Sequence, residues 1–264
     1  MNLNSITPLV LTYNEEANLD RTLDRLTWAE RVVVVDSYSN DATVDIATSH
    51  ANVDLVQREF DNFASQCNYG LRQIETEWVL SLDADYVCSE DLVDEVRALP
   101  KNPSVNGFSA EFVYCVFGDP LRGSLYPPRT VLYRRAKADY QQDGHGHRVR
   151  IDGPVEVLDS PIYHDDRKSL PRWLDNQREY ARLEAEKLQE EEDLSLQDRL
   201  RTTNVLGPLV VPLYCLLWKG LILDGWSGWY YTLQRTYAEL LLALTRLDVY
   251  LRGSVGIEFD GNTE

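Results

Sequence analysis

Residues 31–43 read RVVVVDSYSNDAT, a run of four valines that ends in an acid and a polar turn. Residues 6–13 (ITPLVLTY) and 77–85 (EWVLSLDAD) repeat this pattern of a short apolar run followed by polar residues. Helical patterns separate such runs, for example over 15–26 and 62–74. Because a parallel strand needs a crossover connection to its neighbour, this alternation predicts βαβ units and a mostly parallel, Rossmann-like sheet in an α/β fold.

Beyond residue 105 the pattern changes to longer strands with Pro and Gly between them, over 108–117, 130–133 and 149–151. We expect these strands to form an antiparallel extension of the same sheet rather than a separate domain. Residues 170–200 have apolar side chains at helical spacing among many charges, which predicts a long amphipathic helix.

The chain has 264 residues and a formal net charge of −17, which argues against a broad nucleic-acid surface, so no nucleic-acid partner is expected. Its four cysteines form no C-x-x-C pair, which favours reduced thiols in a cytoplasmic protein over a disulfide framework. The N-terminus lacks a basic region followed by a long apolar run, so we expect no signal peptide.

The charge is unevenly distributed. Residues 202–252 carry four basic and three acidic side chains, and residues 253–264 carry only three acids, so most of the negative charge lies in residues 1–201. We therefore predict a catalytic domain over 1–201, with a nucleotide-binding half (1–100) and an acceptor half (101–201). A hydrophobic helical region over 202–252 and an acidic tail over 253–264 follow it.

Residues 205–223 are apolar enough to approach a membrane span, but Pro208, Pro212 and Lys219 oppose spanning. Tryptophan and tyrosine residues over 218–231 favour helices that lie on a membrane surface. The alternative is a helical hairpin packed on the catalytic domain or at the interface of a homo-oligomer. The expected location is the cytoplasmic side of the cell membrane, with peripheral attachment.

Ligands of parallel sheets bind at the carboxyl ends of the strands, so the residues that follow each apolar run are the candidates for function. Asn14 follows the first run and could cap a helix starting at Glu15. Asp36 ends the second run, where its carboxylate could accept a hydrogen bond from a ribose hydroxyl or a base. Asp83 and Asp85 end the fourth run, and in an extended chain they would point to one place.

Two neighbouring carboxylates repel each other unless a cation lies between them, and oxygen ligands of this kind suit Mg²⁺ or Mn²⁺. Such an ion could neutralise a diphosphate leaving group. An acidic surface turn is the commoner explanation of an isolated D-x-D, so the combination of motifs matters more than this one.

The motifs occur in order, with NEE at 14–16, DSYSNDAT at 36–43 and LDAD at 82–85. Together with FASQCN at 63–68 and LDGWSGW at 223–229, they make the chain resemble the family 2 glycosyltransferases. Within that family it looks most like the branch that includes lipopolysaccharide core β-1,4-glucosyltransferases. The resemblance implies the GT-A fold, a nucleotide-sugar donor, and a cell-envelope glycan or lipid-linked acceptor.

The resemblance also implies roles for individual residues. It makes Asp85 the main metal ligand and Asp83 a contact to the nucleotide or sugar through the metal, while Asp36 contacts the nucleoside. The remaining residues that it places around the nucleotide-sugar donor are Thr12, Tyr13, Asn14, Glu15, Gln66 and Asn68. Cys67 and Tyr86 depart from the branch, which often has a basic residue and an acid at these positions, but neither removes a metal carboxylate.

The catalytic base is harder to place, because an inverting transfer needs a carboxylate beside the acceptor hydroxyl. The related branch often has V-H-E here, whereas this chain has Arg148 at the position of the glutamate. Our prediction is therefore Asp143, in the preceding D-G-H turn, with Glu156 in reserve. A plain Asp-Gly turn is the alternative for Asp143.

His164 resembles the additional metal or diphosphate contact of several GT-A enzymes, although 163–168 could equally be a turn ahead of the helix at 170. A zinc site of His145, His147 and His164 is a minor alternative. Arginines could hold phosphate through forked hydrogen bonds, and the candidates are Arg129, Arg148, Arg167 and Arg172.

The predicted function is a metal-dependent, inverting glycosyltransferase acting on an envelope glycan or glycolipid. Two alternatives stay open at this point. The first is transfer to a polyprenyl phosphate, and the second is an inactive relative that binds a sugar nucleotide or serves as a scaffold. The departure from V-H-E favours the scaffold, while the presence of both Asp83 and Asp85 opposes it.

Overall fold

The computed structural model describes residues 1–143, 146–190, 199 and 201–254, with 143, 146, 147, 189, 190, 253 and 254 described by backbone alone. The chain forms two compact units. The first comprises Met1–Pro120 with Ser124–Lys168, and the second comprises Leu121–Gly123 with Ser169–Glu264. The functional division that we predict at residue 202 stays a prediction, and the predicted acidic tail lies almost wholly outside the described residues.

A seven-stranded sheet is the centre of the first unit, and its strand order is β12-β6-β9-β4-β1-β2-β3. The four strands β3, β2, β1 and β4 are parallel, β9 runs antiparallel to both β4 and β6, and β12 is parallel to β6. Their bounds are β1 Ile6–Thr12, β2 Val32–Asp36, β3 Val53–Gln57, β4 Trp78–Asp83, β6 Gly107–Ala110, β9 Arg129–Arg134 and β12 Val155–Val157. The predicted mostly parallel sheet with an antiparallel extension is confirmed.

Both faces of the central strands are covered, as the four valines of β2 indicate. Val32 and Val34 pack in one apolar cluster and Val33 and Val35 in a second, and all four are fully buried. Alternate residues of a strand point to opposite faces, so each strand contributes to both clusters. On the second face a Cβ at Gly70 would collide with Leu9, so this glycine lets its helix approach β1 closely.

Helices follow the parallel strands, with bounds α1 Leu19–Asp24, α2 Thr43–Ser49, α3 Phe63–Arg72 and α4 Glu90–Ala98. The Asn62 side chain caps α3 by accepting from Ser65 N, and Ser89 caps α4 by accepting from Leu92 N. The first helix is shorter than predicted, because residues 15–18 form a turn and the helix begins only at Leu19.

A second sheet has the order β5-β13-β7-β8, with bounds β5 Tyr86–Cys88, β7 Phe112–Val116, β8 Asp119–Pro120 and β13 Ile162–His164. A hairpin of β10 (Ala138–Asp143) and β11 (Gly146–Ile151) completes the first unit. The single strand predicted over 108–117 is wrong, because the chain leaves the large sheet at Glu111 and enters the small sheet at Phe112.

The second unit is helical, with α5 Leu170–Glu190, α6 Leu206–Leu213 and α7 Gly225–Ser254. A π-helical turn (Tyr214–Trp218) and a 3₁₀ turn (Leu221–Asp224) connect α6 to α7. The helix predicted over 170–200 is described as far as Glu190, and its acidic run at 191–193 lies outside the described residues.

In the described residues, no individual helix has both the length and the apolar composition that a membrane crossing requires. The pair Leu206–Trp218 and Leu221–Arg252, which is bent by 71°, meets these two requirements when both parts are taken together.

Candidate active site

Asp36 lies at the centre of the edge where β1 and β2 end, directly opposite Thr12 in the register. Its carboxylate is fully buried and accepts hydrogen bonds from Thr12 Oγ1 at 3.1 Å and Gln57 Nε2 at 2.9 Å. Ser39 donates to the same carboxylate through its backbone N, at 3.0 Å, and through its hydroxyl. Because protein donors already surround Asp36, a direct nucleoside contact requires one of them to leave, whereas its present bonds fix the loop after β2.

The loops after β1 and β2 are joined by hydrogen bonds between side chains and backbone. Asn14 N donates to Ser39 Oγ at 2.7 Å, and Asn40 N donates to Asn14 Oδ1 at 2.7 Å. Glu15 N donates to Thr43 Oγ1 at 2.6 Å. The prediction that Asn14 caps a helix is wrong, because its side chain binds the neighbouring loop and its φ of 54° takes the chain out of helical geometry.

Two tyrosines are exposed on these loops, Tyr13 by 54% and Tyr38 by 58%. Aromatic rings of this kind can stack on a nucleobase. Tyr13 is a predicted pocket residue, whereas no sequence pattern predicts a role for Tyr38. Its φ of 59° is unusual for a bulky residue and could not be inferred from a single sequence.

Asp83 is the last residue of β4 and is half-buried. Arg129, at the start of β9, has its guanidinium carbon 5.0 Å from the centre of the Tyr126 ring. Burial alone would lower the pKa of Arg129, but neighbouring phenol groups and the Asp83 carboxylate hold this pKa above its usual range. This part of the edge therefore has an arginine that remains cationic in the field of an acid.

Asp85 lies in the turn between β4 and β5, so the expectation that it continues an extended chain from Asp83 is wrong. Its Oδ2 is 3.2 Å from Nε2 of His164, which lies on β13, the strand beside β5. Burial alone would raise the pKa of Asp85, but His164 and Lys168 hold it well below its usual range. Asp85 is therefore a carboxylate with His164 as its direct neighbour, while the metal role that the resemblance implies for both stays a prediction.

The Asp85 and His164 pair fits a divalent cation by its chemistry, since carboxylate and imidazole are both metal ligands. Their 3.2 Å contact is a hydrogen bond between the two side chains, which an ion bound by both would replace. The Asp83 carboxylate is not within 4.8 Å of both of these ligand atoms, since no such group of three occurs there among the described residues. The predicted trio thus needs a movement of Asp83 to close on one ion.

A different group of Asp20, Asp24 and His50 brings three ligand atoms within 4.8 Å of one another. Both acids are exposed, and His50 Nε2 is 2.9 Å from Asp20 Oδ1. This group lies on α1 and after α2, and exposed acidic groups of this kind are common in an acidic protein. The alternative zinc site cannot be compared with it, because His145 and the His147 side chain lie outside the described residues.

Lys168 and Glu15 form a buried ion pair that the sequence analysis missed. Lys168 Nζ lies 2.7 Å from Glu15 Oε1, and both side chains are less than 15% exposed. Lys168 also lies 3.4 Å from Asp166, and its pKa is raised by Asp85, Glu15 and Asp166 although burial opposes this. Burial and the nearby Asp85 raise the pKa of Glu15 to about 7, although Lys168 opposes them. Lys168 therefore supplies a fixed positive charge next to the Asp85 carboxylate.

Asn18 and Arg21 connect α1 to the segment after β13. Asn18 Nδ2 donates to Glu15 Oε2 and to Asp166 Oδ1, both at 2.9 Å. Arg21 donates to Asp165 Oδ2 at 2.6 Å and to Asp165 O at 2.9 Å. These bonds join the turn that carries Glu15 to the segment that carries Lys168, so they determine where both charges lie.

Gln66 and Asn68 lie on α3 and make structural contacts. Gln66 is buried and donates to Ser37 Oγ at 2.8 Å and to Arg58 O at 3.1 Å. Asn68 donates to Tyr140 O at 2.9 Å and accepts from Tyr140 N at 3.0 Å. Both amides are engaged within the protein, so their expected contact with the donor stays a prediction.

The candidate bases lie in different places. Asp143 ends β10 and its side chain is not described, but Gln142 beside it accepts from Ala64 N in the first turn of α3, at 3.4 Å. The first turn of α3 lies at the edge where the parallel strands end.

Glu156 is exposed on β12, three strand positions from β4, or about 14 Å across the sheet. Arg148 is exposed on β11, opposite Gln141.

Comparison with known proteins gives a family and a set of relatives. The family described as glycosyl transferase family 2 matches residues 9–151. An uncharacterized glycosyltransferase of Rickettsia bellii is 33% identical over 93 residues, which are 35% of this chain and 31% of the relative. One of Rickettsia typhi is 30% identical over 96 residues, 36% of this chain and 32% of the relative. The matched stretch therefore spans about a third of the length of these relatives.

Two solved structures are similar over larger parts of the chain. TarS 1–349 of S. aureus, crystallised with UDP-GlcNAc, is 15% identical with a TM-score of 0.48, covering 96% of this chain and 93% of that one. Glucosyl-3-phosphoglycerate synthase of Mycobacterium tuberculosis, crystallised with Mn²⁺, UDP-glucose and phosphoglyceric acid, is 15% identical with a TM-score of 0.49, covering 70% and 78%. Since the family match includes more than half of the 264 residues, the chain belongs to glycosyl transferase family 2.

Proposed function

We propose that this protein is an inverting, metal-dependent glycosyltransferase that moves a sugar from a nucleotide diphosphate donor to an acceptor hydroxyl. The observation that carries the proposal is the 3.2 Å pair of Asp85 and His164 next to the end of β4, with Asp83 two residues before Asp85. Carboxylate and imidazole ligands suit Mn²⁺, and carboxylates alone suit Mg²⁺.

In this proposal the exposed rings of Tyr13 and Tyr38 flank the nucleobase, and Asp36 holds the loop after β2 in place. Asp85, His164 and Asp83 hold the cation, which neutralises the diphosphate as the leaving group departs. Arg129 and Lys168 add positive charge at the same edge, where an anionic donor must approach a protein of net charge −17.

We assign the catalytic base to Asp143, with Glu156 as the alternative. The base must lie within hydrogen-bonding distance of the acceptor hydroxyl and accept its proton as the sugar–phosphate bond breaks. The contact between Gln142 and the first turn of α3 supports Asp143, because it holds the end of β10 at the edge that carries the donor site. The position of Glu156 on the edge strand β12 makes it the weaker candidate.

A donor screen that follows nucleotide release, with Mn²⁺ and with EDTA, tests the proposed function. We expect release from one nucleotide sugar, its loss in EDTA, and its loss in Asp85→Ala. The control is Asp91→Ala, which removes an exposed acid from the first turn of α4 and should leave release unchanged. Full activity of Asp85→Ala, or equal activity in EDTA, would refute metal-dependent transfer at this site.

We propose a lipid-linked or envelope glycan acceptor, as in the lipopolysaccharide core branch, and attachment to the inner face of the cell membrane. The support comes from apolar side chains that are exposed in the second unit. Trp226 is 87% exposed and Trp218 is 80% exposed. Others at least 60% exposed in the same unit are Val205, Leu209, Leu213, Leu217, Leu223, Leu233, Leu244 and Tyr250.

Tryptophan side chains are enriched at the depth of lipid headgroups, and amphipathic helices bury their apolar face there. Residues 202–252 carry four basic and three acidic side chains, so attraction to anionic lipids should contribute little. The proposed attachment therefore depends on apolar burial.

Sedimentation with vesicles of neutral and of anionic lipids tests this attachment. We expect binding that changes little with salt and that falls in the double variant Trp218→Ser and Trp226→Ser. Phe60→Ser is the matched control, since Phe60 is 47% exposed in the first unit. Binding that weakens steeply with salt, or a stable dimer that ignores vesicles, would contradict the proposal. Supplying polyprenyl phosphate and glycolipid acceptors separately distinguishes the two acceptor classes.

A further inference from the structure

An open concave surface lies in the first unit, between α1 and the small sheet. It is an open cleft of about 320 Å³. Its lining residues are Arg21, Asp24, Arg25, Val87, Cys115, Gly118, Tyr163, Asp165 and Arg167. We call it the arginine cleft, and a volume of this order can hold a ligand the size of a monosaccharide phosphate.

The arginine cleft is on the opposite face of the small sheet from His164. His164 is beside Tyr86 and Tyr114 in the register of β5, β13 and β7, and its ring contacts both of theirs. Tyr163 and Val87, one position along, line the cleft. Neighbouring residues of a strand face opposite sides, so the cleft and the proposed metal ligand His164 are separated by the sheet.

Three guanidinium groups and two carboxylates, those of Asp24 and Asp165, line this cleft. The exposed Glu90 pairs with Arg25 at 3.2 Å, so a ligand must compete with Glu90 for this arginine. Asp165 is only 5% exposed and is shared, since it accepts from Arg21 NH1 at 2.6 Å and from Arg167 Nε at 2.9 Å. One buried carboxylate thus orients two arginines and neutralises only one of them.

Arg21 is the least exposed of the three arginines, with its side chain 26% exposed. Burial lowers the pKa of Arg21 and Arg167 lowers it further, whereas Asp165, Asp85 and Asp166 oppose this shift.

The backbone also leaves room for Arg167. Gly118 has φ +93°, and a Cβ at this position would be 2.9 Å from Arg167 NH2. Gly118 N donates to Asp165 Oδ1 at 3.0 Å, so the turn after β7 helps to fix the shared carboxylate. Arg25 and Arg167 keep side-chain exposures of 49% and 41%, which lets a ligand reach them.

We propose that the arginine cleft binds the phosphate group of a small phosphorylated ligand, with Arg25 and Arg167 as the main contacts and Arg21 behind them. Guanidinium groups bind phosphate oxygens through forked, charge-assisted hydrogen bonds, and a dianion can take donors from several directions. This site is separate from the nucleotide pocket, and it does not depend on the proposed transfer reaction.

Titration calorimetry with glucose 6-phosphate at constant ionic strength tests the proposal, with glucose as the uncharged comparison. We expect saturable binding of the phosphate ester only, weakened about tenfold or more in Arg25→Gln with Arg167→Gln, as expected for lost charge-assisted bonds. Arg97→Gln, an exposed arginine on α4 that pairs with Asp94, should bind like the wild type.

Asp83→Asn distinguishes the cleft from the nucleotide pocket, and this variant should retain glucose 6-phosphate binding. Arg25→Gln alone secures the test if the double variant fails to fold, because Arg25 pairs with the exposed Glu90 and not with Asp165. Undiminished binding in the arginine variants, loss of binding in Asp83→Asn, or equal binding of glucose would each overturn the proposal.

Discussion

Three carboxylates surround the Lys168 side chain, so we expect its removal to lower the stability of the protein strongly. Lys168→Met leaves Glu15, Asp85 and Asp166 without their shared cation in a largely buried place. Removing one partner of a buried ion pair typically costs about 3 to 5 kcal/mol, because the remaining charge stays uncompensated. We expect the free energy of unfolding in urea to fall by this amount.

Lys137→Met is the matched control for that measurement. Lys137 Nζ lies 2.7 Å from Asp152, but their side chains are 44% and 80% exposed, so the pair is screened by solvent. Losing it should therefore cost much less stability than losing Lys168. Similar losses of stability in the two variants would show that burial does not determine how much Lys168 contributes to the free energy of unfolding.

Replacing the two candidate bases separates their roles. We expect Asp143→Asn to bind the nucleotide sugar with unchanged affinity while transfer falls by at least about a hundredfold, as for loss of a general base. Glu156→Gln should retain transfer activity, because β12 and β3 form opposite edges of the large sheet. Donor affinity and turnover measured on both variants decide between them, and an inactive Glu156→Gln would transfer the assignment to Glu156.

The sequence named two adjacent residues of the proposed metal site, Asp85 and His164, but not the positive charge of Lys168 beside them. Asp85 and His164 are 79 positions apart, and the predicted pairing rested on resemblance rather than on any local pattern. The chain has only five lysines, and this scarcity is the sequence feature that could have drawn attention to Lys168. The ion pair with Glu15 depends on the path of the chain after β13, and no local sequence rule gives this path.

At the element scale, two side chains fasten the hairpin of β10 and β11 to α3, those of Gln142 and Asn68. The Asn68 amide makes both hydrogen bonds that the Tyr140 backbone can make on this side. Because β10 is paired on its other side with β11, Asn68 replaces a neighbouring strand at this residue.

Asn68→Ala should therefore loosen the hairpin without unfolding the first unit. Two backbone groups lose their partner, and one such loss costs about 1 to 3 kcal/mol. We expect amide exchange at Tyr140 to accelerate about tenfold or more, while exchange in β2 is unchanged. Gln141→Ala, an exposed neighbour, is the control and should leave Tyr140 exchange as in the wild type. Unchanged exchange in Asn68→Ala would contradict this role.

The elements that the sequence predicts well are those with a strong local pattern. The valines of β2 predict the strand observed at Val32–Asp36, and the helical pattern over 62–74 matches α3 at Phe63–Arg72 to within two residues at each end. The start of α1 and the break at Glu111 were missed for the opposite reason. In both places contacts with other segments, the loop after β2 and the small sheet, override the local pattern.

At the scale of the whole molecule, the charge and the apolar surface are separated along the chain. The net charge of −17 belongs mainly to residues 1–201, whereas the exposed tryptophans belong to the near-neutral residues 202–252. An acidic protein surface and an anionic membrane repel each other, so apolar burial must outweigh this repulsion if the protein attaches. The same acidity is a reason to propose a cation at Asp83 and Asp85, because an anionic donor would otherwise meet a negatively charged protein.

The reactivity of the cysteine thiols can test whether each unit opens in solution. Cys67, Cys88 and Cys115 lie in the first unit and Cys215 in the second, and none is more than 4% exposed. Burial raises the pKa of Cys88 to about 12 and that of Cys115 to about 11, so these groups are thiols at pH 8. The thiolate is the reactive form, and it must also be reachable.

We therefore expect no cysteine of the native protein to react with a disulfide reagent such as DTNB within minutes at pH 8, and all four to react in guanidinium chloride. Ser49→Cys places a thiol at the exposed end of α2 and provides the positive control, with one rapid equivalent. The residue that reacts first as denaturant increases identifies the unit that opens first. Rapid reaction of Cys215 alone in native buffer would show that the second unit opens by itself, contrary to the complete burial of its thiol.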